Sequence, residues 1–211
     1  MDIAIIDYGV GNLRSAEKAF QHLGLDAALT RDPRDLKNAR KLVLPGVGAF
    51  GECMERLAEH GFVEPLLAEV NAGKPLLGIC VGLQMLFEGS EEAPGINGLG
   101  LLKGRVKRFR GAAFETKPAL KVPQIGWNAL SFPAERPVHR LFLGLPAGTH
   151  VYFVHSYFAA PDDSADVLAY SDYGGPFCAS AGRGNIMGVQ FHPEKSQRAG
   201  LALLANFGRK D

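Results

Sequence analysis

The sequence has little cysteine and no long hydrophobic run. Its three cysteines, Cys53, Cys80 and Cys178, are far apart and form no C-x-x-C pair, which argues against a disulfide framework or a thiolate zinc site. No apolar run approaches the roughly 20 residues that cross a bilayer. The N-terminus, MDIAIIDYGVGN, lacks the basic start of a signal peptide. We therefore expect a protein of the reducing cytoplasm in which one thiol is reactive.

The chain also lacks an excess of charge of one sign. Its 23 Lys and Arg residues and 22 Asp and Glu residues give a formal net charge of +1, which points neither to nucleic acid nor to a membrane surface as a partner. Lys103–Arg110, KGRVKRFR, alternates basic with other residues. This favours a solvated strand face, with a phosphate or protein site as the alternative. Glycine and proline are abundant, with 26 and 13 residues, as tight turns in a many-stranded protein require.

Short apolar runs alternate with helical patterns in the first half of the sequence. Strands that are apolar on both faces and separated by helices are typical of a parallel sheet covered on both sides. We expect strands at Ile3–Asp7, Asp26–Thr30, Lys41–Gly46 and Lys74–Ile79, and helices at Asn12–Gly24, near 33–38, within Phe50–Gly73 and over 81–90.

The second half contains apolar segments, many separated by short turns, and closes with a helix. The expected strands are 104–109, 127–132, 150–158, 166–173, 176–184 and 185–191, and the helix is Gln197–Phe207. We therefore predict a single α/β domain over residues 1–211. Its central sheet is mixed but mostly parallel, is flanked by helices, and gains antiparallel strands in the C-terminal half.

GICVGLQ, residues 78–84, places a cysteine between two glycines where an apolar run meets a helical pattern. G-x-C-x-G has the form of a nucleophile elbow with cysteine in place of serine. The backbone is strained at such a turn, and larger side chains at Gly78 and Gly82 would collide across it. Amides at the start of the next helix would favour the thiolate of Cys80. The alternative is a buried structural cysteine, and this motif alone does not decide.

A cysteine nucleophile needs a base, and His192 is the candidate among six histidines. It follows the apolar run IMGVQF, at the strand end where α/β proteins bind ligands. Glu194 is two residues further on, and in an extended segment, which Pro193 favours, both side chains project to one side. A carboxylate there would fix the imidazole tautomer and stabilise its cation. Taken alone, the sequence H-P-E is more typical of a surface turn than of a catalytic pair. When it is considered together with the elbow at Cys80, the catalytic pair becomes the preferred interpretation.

Acyl transfer also needs hydrogen-bond donors for an oxyanion. The amide of Val81, which follows Cys80, is the expected first donor. LPGVGAF, Leu44–Phe50, is the candidate for the second, because its glycines let backbone amides approach a ligand. From the residues alone, an ordinary strand-to-helix turn is the preferred interpretation of that loop.

Together these segments resemble the class I (triad) glutamine amidotransferases along essentially the whole chain. DYGVGNLRS, LPGVGAF, GICVGLQMLFEGSEE, GWN, YFVHSY and GVQFHPEKS occur in the family's order. DYGVGNLRS, PGVG and GWN select the glutaminase subunits of imidazole glycerol phosphate synthase. The resemblance implies hydrolysis of L-glutamine without a cofactor or metal, and transfer of ammonia to a (β/α)8-barrel cyclase in a heterodimer. Another class I amidotransferase or a γ-glutamyl hydrolase is the alternative, and a catalytically dead binding subunit is a third.

The resemblance also implies a role for each matching position. Cys80 would be the nucleophile, His192 the acid and base, and Glu194 its orienting carboxylate. The oxyanion donors would come from Val81, Val47 and Gly48. Glutamine would be held by Gly48, Gln84, Glu92, His155, Ser156 and Tyr157, and the partner by Asn12, Trp127, Tyr152 and Lys195. Gln124 stands where bacterial relatives often have histidine, so no role is assigned to it.

Val47 is the expected regulated element of the oxyanion loop. The family implies weak glutaminase activity until the partner is loaded with its ligand. A β-branched residue resists the positive φ that glycine accepts. We therefore expect the Val47 peptide to be turned away from the oxyanion by default, and a Val47→Gly variant to be faster without the partner.

Overall fold

The structure, a computed structural model, describes residues 1–209 of the chain. The strands are β1 Ile3–Ile6, β2 Ala27–Thr30, β3 Lys41–Gly46, β4 Leu76–Cys80, β5 Gly89–Ser90, β6 Ala93–Asn97, β7 Gly104–Arg108, β8 Gln124–Ala129, β9 His150–His155, β10 Tyr157–Pro161, β11 Val167–Asp172, β12 Pro176–Arg183 and β13 Ile186–Val189. The α-helices are α1 Leu13–His22, α2 Phe50–Glu59, α3 Val63–Asn71, α4 Val81–Gln84, α5 Ala112–Glu115 and α6 Gln197–Gly208. Short 3₁₀-helices span Pro33–Asn38, Arg140–Phe142, Ser164–Asp166 and Pro193–Lys195.

A seven-stranded sheet in the order β11-β12-β13-β4-β3-β1-β2 forms the centre of the fold. Its strands from β13 to β2 are parallel, and β12 and β11 add antiparallel at one edge. β1 and β4 are buried along their whole length, as apolar strands covered on both faces must be. Helices α1 and α6 pack together through Phe20 and Phe207, whose ring centroids are 6.4 Å apart. The predicted α/β fold with a mixed, mostly parallel sheet is confirmed.

The later strands divide among three sheets, whereas the sequence predicted additions to one. Only β11, β12 and β13 join the central sheet, while a four-stranded sheet has the order β10-β7-β5-β6 and a two-stranded ribbon pairs β8 with β9. The predicted strand 150–158 is interrupted at Ser156, and β8 begins earlier than the predicted 127–132. Short strands with turn signals do not say which sheet they join, because pairing depends on partners distant in sequence.

The helix predicted over 81–90 ends after Gln84. The carbonyls of residues 85–87 accept hydrogen bonds from the amides of Leu99, Gly100 and Leu102, so they are not available to continue a helix. A tertiary contact therefore overrides the local helical pattern, and the short strands β5 and β6, which the sequence did not predict, follow it.

The parallel strands bring four loops to one edge of the central sheet. In the register of the sheet, Gly46 at the end of β3 lies opposite Cys80 at the end of β4, and Val189 of β13 lies opposite Ile79. The segments after β1, β3, β4 and β13 therefore meet, as expected for ligand sites in α/β sheets. No helix within residues 1–209 is long and apolar enough to cross a membrane.

Candidate active site

Cys80 lies on a strained turn between β4 and α4. Its φ of 56° and ψ of −113° fall in a region that non-glycine residues rarely adopt. A Cβ atom at Gly78 would lie 2.6 Å from the Gly82 oxygen, and one at Gly82 would lie 1.9 Å from the Leu44 oxygen. Both glycines are therefore required by close backbone contacts, and the elbow expected from G-x-C-x-G is present.

The helix after this elbow is a single turn. α4 contains four residues, Val81–Gln84, and so short a helix has only a small macrodipole. The contribution to a Cys80 thiolate that the sequence led us to expect from a helix is therefore weak. A neighbouring cation is needed for a larger effect.

His192 and Glu194 form a buried pair beside Cys80. The imidazole Nδ1 lies 2.9 Å from Glu194 Oε1, and both side chains are almost wholly buried. The segment between them is not extended, as the sequence predicted, but forms a 3₁₀ turn over Pro193–Lys195. Proline is well suited to the first position of such a turn, where no amide donor is needed. The turn brings Glu194 to the ring by a different route from the one expected.

Charge in this pair determines the protonation of the imidazole. Burial lowers the pKa of His192, but hydrogen bonds and electrostatic attraction to Cys80 and Glu194 outweigh burial and raise the pKa to about 10. With Nδ1 bonded to Glu194, Nε2 is the nitrogen left for the sulfur. An imidazolium at neutral pH stabilises a thiolate, which is the nucleophilic form of cysteine.

Gln190 is a site residue that the sequence did not predict. It is fully buried, and its Nε2 donates to Cys80 Sγ over 3.8 Å. Its Oε1 accepts from Nε2 of Gln84, which also donates to the Tyr157 carbonyl, both over 3.0 Å. Its position in the sequence could have predicted this contact. Gln190 precedes His192 by two residues, and alternate residues of an extended segment project to the same side.

A cavity of about 670 Å³ opens above the elbow. It brings together every predicted oxyanion and glutamine-binding position, with the predicted nucleophile, the predicted base and two of the four predicted interface positions. Among its lining residues are Asn12, Val47, Gly48, Cys80, Val81, Gln84, Glu92, His155, Ser156, Tyr157, His192 and Lys195. No group of three or more His, Cys, Asp or Glu side chains within residues 1–209 is placed to hold a metal ion.

Glu92 contributes a fixed carboxylate to this cavity. Its Oε2 accepts from the amide of Phe50, the first residue of α2, over 2.8 Å. An amide in the first turn of a helix has no acceptor within the helix and is a favourable partner for a carboxylate, so α2 orients the side chain. A carboxylate held in this way is suited to bind an ammonium group.

His155 is a neutral hydrogen-bond acceptor on the cavity wall. Burial lowers the pKa of His155 to about 4, and its Nδ1 lies 2.8 Å from the Tyr157 carbonyl and therefore carries the proton. Its Nε2 is buried without a partner within residues 1–209. The ring packs on Phe109 at 5.1 Å and Phe177 at 5.2 Å, and Gln124 lies opposite it in the ribbon.

The other two predicted interface residues lie on the β8–β9 ribbon. Trp127 and Tyr152 pair across the strands with ring centroids 5.8 Å apart. Trp127 is 43% exposed, and Ile125 on the same face of β8 is 64% exposed, although no sequence motif marks Ile125. The Tyr152 carbonyl accepts from the His192 amide over 2.9 Å, and the Tyr152 amide donates to Ser196 Oγ over 3.0 Å. The exposed face that carries Trp127 is therefore connected through Tyr152 to the turn that carries His192.

The model of the family "Glutamine amidotransferase class-I" matches residues 4–210. The chain belongs to the class I glutamine amidotransferases. This amidotransferase is 52% identical over 206 residues to the imidazole glycerol phosphate synthase subunit HisH of Syntrophotalea carbinolica, with 98% of each chain covered. It is 49% identical over 206 residues to the HisH subunit of Geobacter sulfurreducens, with 98% of this chain and 97% of the relative covered.

Solved structures share the amidotransferase fold at low sequence identity. A crystal structure of a glutamine amidotransferase superposes with a TM-score of 0.74 at 22% identity, covering 99% of this chain and 100% of its own. PurLQS from Thermotoga maritima superposes with a TM-score of 0.72 at 18% identity, covering 97% and 96%. The assignment of the chain to the class I amidotransferase fold is confirmed.

Proposed function

We propose that the protein is the glutaminase subunit of imidazole glycerol phosphate synthase, acting as one domain over residues 1–211 in the cytoplasm. The observation that carries the proposal is that Cys80 and His192 line one cavity while Glu194 is hydrogen-bonded to the imidazole of His192 behind it. Relatives about half identical over nearly the whole chain are named as the HisH subunit of that synthase. The function is hydrolysis of L-glutamine and delivery of the ammonia to a cyclase.

In the first half of the reaction, the Cys80 thiolate attacks the side-chain carbonyl of glutamine. The C–N bond of the amide breaks as His192 donates its Nε2 proton to the departing ammonia, leaving a γ-glutamyl thioester. The Val81 amide and the Val47–Gly48 segment would stabilise the oxyanion that forms on the carbonyl oxygen. Glu194 accepts from Nδ1 throughout and so keeps Nε2 directed at the reacting atoms.

In the second half, water cleaves the thioester. Once Cys80 carries the acyl group it is no longer an anion, and one of the interactions that raised the pKa of His192 is lost. The imidazole, which gave its Nε2 proton to the departing ammonia, therefore stays neutral, and its Nε2 can act as the base that takes a proton from water. Glutamate leaves, and the thiolate–imidazolium pair forms again.

Glu92 is the proposed partner of the substrate's α-ammonium group. A Glu92→Gln variant should raise KM for glutamine about 10- to 100-fold with a much smaller change in kcat, because a charge-assisted hydrogen bond present in both ground and transition states is lost. Steady-state kinetics measure both constants. Glu88→Gln is the matched control, since Glu88 pairs with exposed Lys103 and should leave KM unchanged. A fall in kcat at constant KM would contradict this role.

The ammonia released must pass directly to a synthase, because ammonia in bulk water becomes protonated and is no longer a nucleophile. The proposed acceptor is a (β/α)8-barrel cyclase subunit in a heterodimer. It would join ammonia to a phosphoribulosyl-formimino nucleotide and produce imidazole glycerol phosphate and an aminoimidazole carboxamide ribonucleotide. Asn12 and Lys195 at the cavity mouth, with Trp127 and Tyr152 on the ribbon, form the proposed interface.

Trp127 is the proposed anchor of that interface. A Trp127→Ala variant should bind the cyclase about 10- to 100-fold more weakly, since a large exposed aromatic is a typical interface hot spot. Titration calorimetry or light scattering with the purified cyclase measures the change. Leu143→Ala is the control, because Leu143 is 50% exposed but belongs to no proposed contact. Unchanged affinity for Trp127→Ala would place the interface elsewhere.

A glutaminase assay with and without the cyclase and its nucleotide ligand tests the proposed function. We expect weak hydrolysis by the isolated chain and strong stimulation by the loaded cyclase. Glutamine hydrolysis that is unaffected by the cyclase but responds to another synthase would favour a different class I amidotransferase. Absence of hydrolysis with either partner would identify a subunit that only binds.

A further inference from the structure

Two buried donors that do not line the cavity hold the oxyanion loop, which is the segment of residues 45–48. The Tyr8 hydroxyl donates to the Pro45 carbonyl over 2.6 Å, and Cys53 Sγ donates to the Val47 carbonyl over 3.3 Å. Both side chains are fully buried. Tyr8 follows β1 and Cys53 is on α2, so two separate elements hold alternate carbonyls of one loop. Neither residue has a part in the reaction described above.

The direction of these bonds defines how the loop is oriented. Alternate carbonyls of an extended segment point the same way, and the one between them points oppositely. With Pro45 and Val47 turned towards Tyr8 and Cys53, the Gly46 carbonyl is turned to the Cys80 side. The Val47 N–H, in the same peptide as that carbonyl, is turned away from Cys80.

Two further observations agree with this orientation. The Leu44 carbonyl is two residues before that of Gly46 and therefore points in the same direction. Its oxygen faces α4 and lies 1.9 Å from the position that a Cβ atom at Gly82 would occupy. Val47 is also not among the non-glycine residues with positive φ, which within residues 1–209 are Cys80 and Gln197. Val47 thus has an ordinary backbone conformation, as the sequence led us to expect for the resting loop.

We propose that Tyr8 and Cys53 are positioning residues that hold the Val47 amide away from Cys80 and so restrain glutamine hydrolysis until a partner reorients the Gly46–Val47 peptide. The inference rests on the proposed function, because it assigns the restraint to the oxyanion loop of that reaction. Burial raises the pKa of Tyr8 well above its ordinary value and that of Cys53 to about 11. Both groups therefore keep their protons and remain donors at physiological pH.

The test compares Tyr8→Phe and Cys53→Ala with Cys53→Ser. Each of the first two removes one donor, and Cys53→Ser replaces a thiol donor by a hydroxyl donor. Without the cyclase, we expect kcat for glutamine to rise about 3- to 10-fold in Tyr8→Phe and in Cys53→Ala, the range set by one net hydrogen bond. KM should stay constant, and kcat with the loaded cyclase should match the parent. Cys53→Ser should remain close to the parent in both states.

A partner-free kcat that is unchanged or lower in both donor-deleted variants would overturn the proposal. So would an equal rise in Cys53→Ala and Cys53→Ser, or an equal loss of activity with and without the cyclase accompanied by a lower melting temperature. If one of the variants Tyr8→Phe and Cys53→Ala does not fold, the partner-free kcat of the other is sufficient to test the proposal. Failure of the proposed function has a different signature, in which the parent chain itself does not hydrolyse glutamine or does not respond to the cyclase.

Discussion

A Cys80→Ala variant should lose at least about 10⁴-fold of the glutaminase turnover measured with the loaded cyclase, since removal of the nucleophile of a concerted catalytic unit leaves only substrate binding and oxyanion stabilisation. The fold should be retained, because alanine is smaller than cysteine and adds no contact to the crowded elbow. Release of glutamate and ammonia from saturating glutamine measures the loss, and binding to the cyclase should be nearly unchanged.

The other two cysteines provide controls for this experiment. Burial raises the pKa of Cys53 to about 11 and that of Cys178 to about 12, so both are protonated thiols and poor nucleophiles at neutral pH. Cys178→Ala should retain the parental turnover. A thiol-trapping glutamine analogue should label Cys80 in the parent and nothing in Cys80→Ala. Full glutamine hydrolysis by Cys80→Ala would overturn the assignment of the nucleophile.

A Glu194→Gln variant should lower kcat on the order of 10³- to 10⁴-fold, because the carboxylate both fixes the imidazole tautomer and stabilises its cation. The loss should be similar with and without the cyclase, since the 2.9 Å contact to His192 already exists in the isolated chain. The Glu88→Gln control, at a half-buried carboxylate that belongs to no part of the site, should have the parental kcat. A loss below about 10-fold would mean that Glu194 is not needed to orient the base.

The same variant should change the titration of His192. Hydrogen bonding to Glu194 is one of the interactions that raise the pKa of His192 to about 10, so the pKa should fall in Glu194→Gln. A raised pKa stabilises the folded state fully below the unfolded value of about 6.5, and that stabilisation declines as pH rises towards 10. NMR titration of the imidazole measures the pKa directly. The stability gap between parent and variant should narrow between pH 7 and pH 10.

Local sequence patterns were sufficient for the parts of the site that depend on backbone geometry. The glycines around Cys80 predict the elbow because only residues without a side chain fit the contacts at Gly78 and Gly82. The position of His192 follows from the strand before it. The pairing of His192 with Glu194 was predicted, but through an extended segment rather than the 3₁₀ turn that forms.

The parts that the sequence did not predict depend on contacts between distant segments. Gln190 is two residues from the base, but only the assembled sheet shows that its amide reaches Cys80. The helix expected over 81–90 is interrupted because amides beyond Gly98 take its carbonyls. Ile125 is apolar, and the residue pattern of β8 does not predict that this face of the strand is exposed to solvent. Long-range pairing decides each of these features.

The β8–β9 ribbon joins the proposed docking face to the base by a short path. Trp127 faces Tyr152, and the carbonyl of Tyr152 holds the amide of His192. A docking pose that displaced the ribbon by 1 Å would also displace the imidazole, and a misplacement of that size costs about 10²-fold in rate. A poorly fitting cyclase could thus bind firmly and still give slow hydrolysis. The rate of ammonia release would then depend on the geometry of the complex as well as on its affinity. Glutamine would be hydrolysed slowly when the bound partner does not fit.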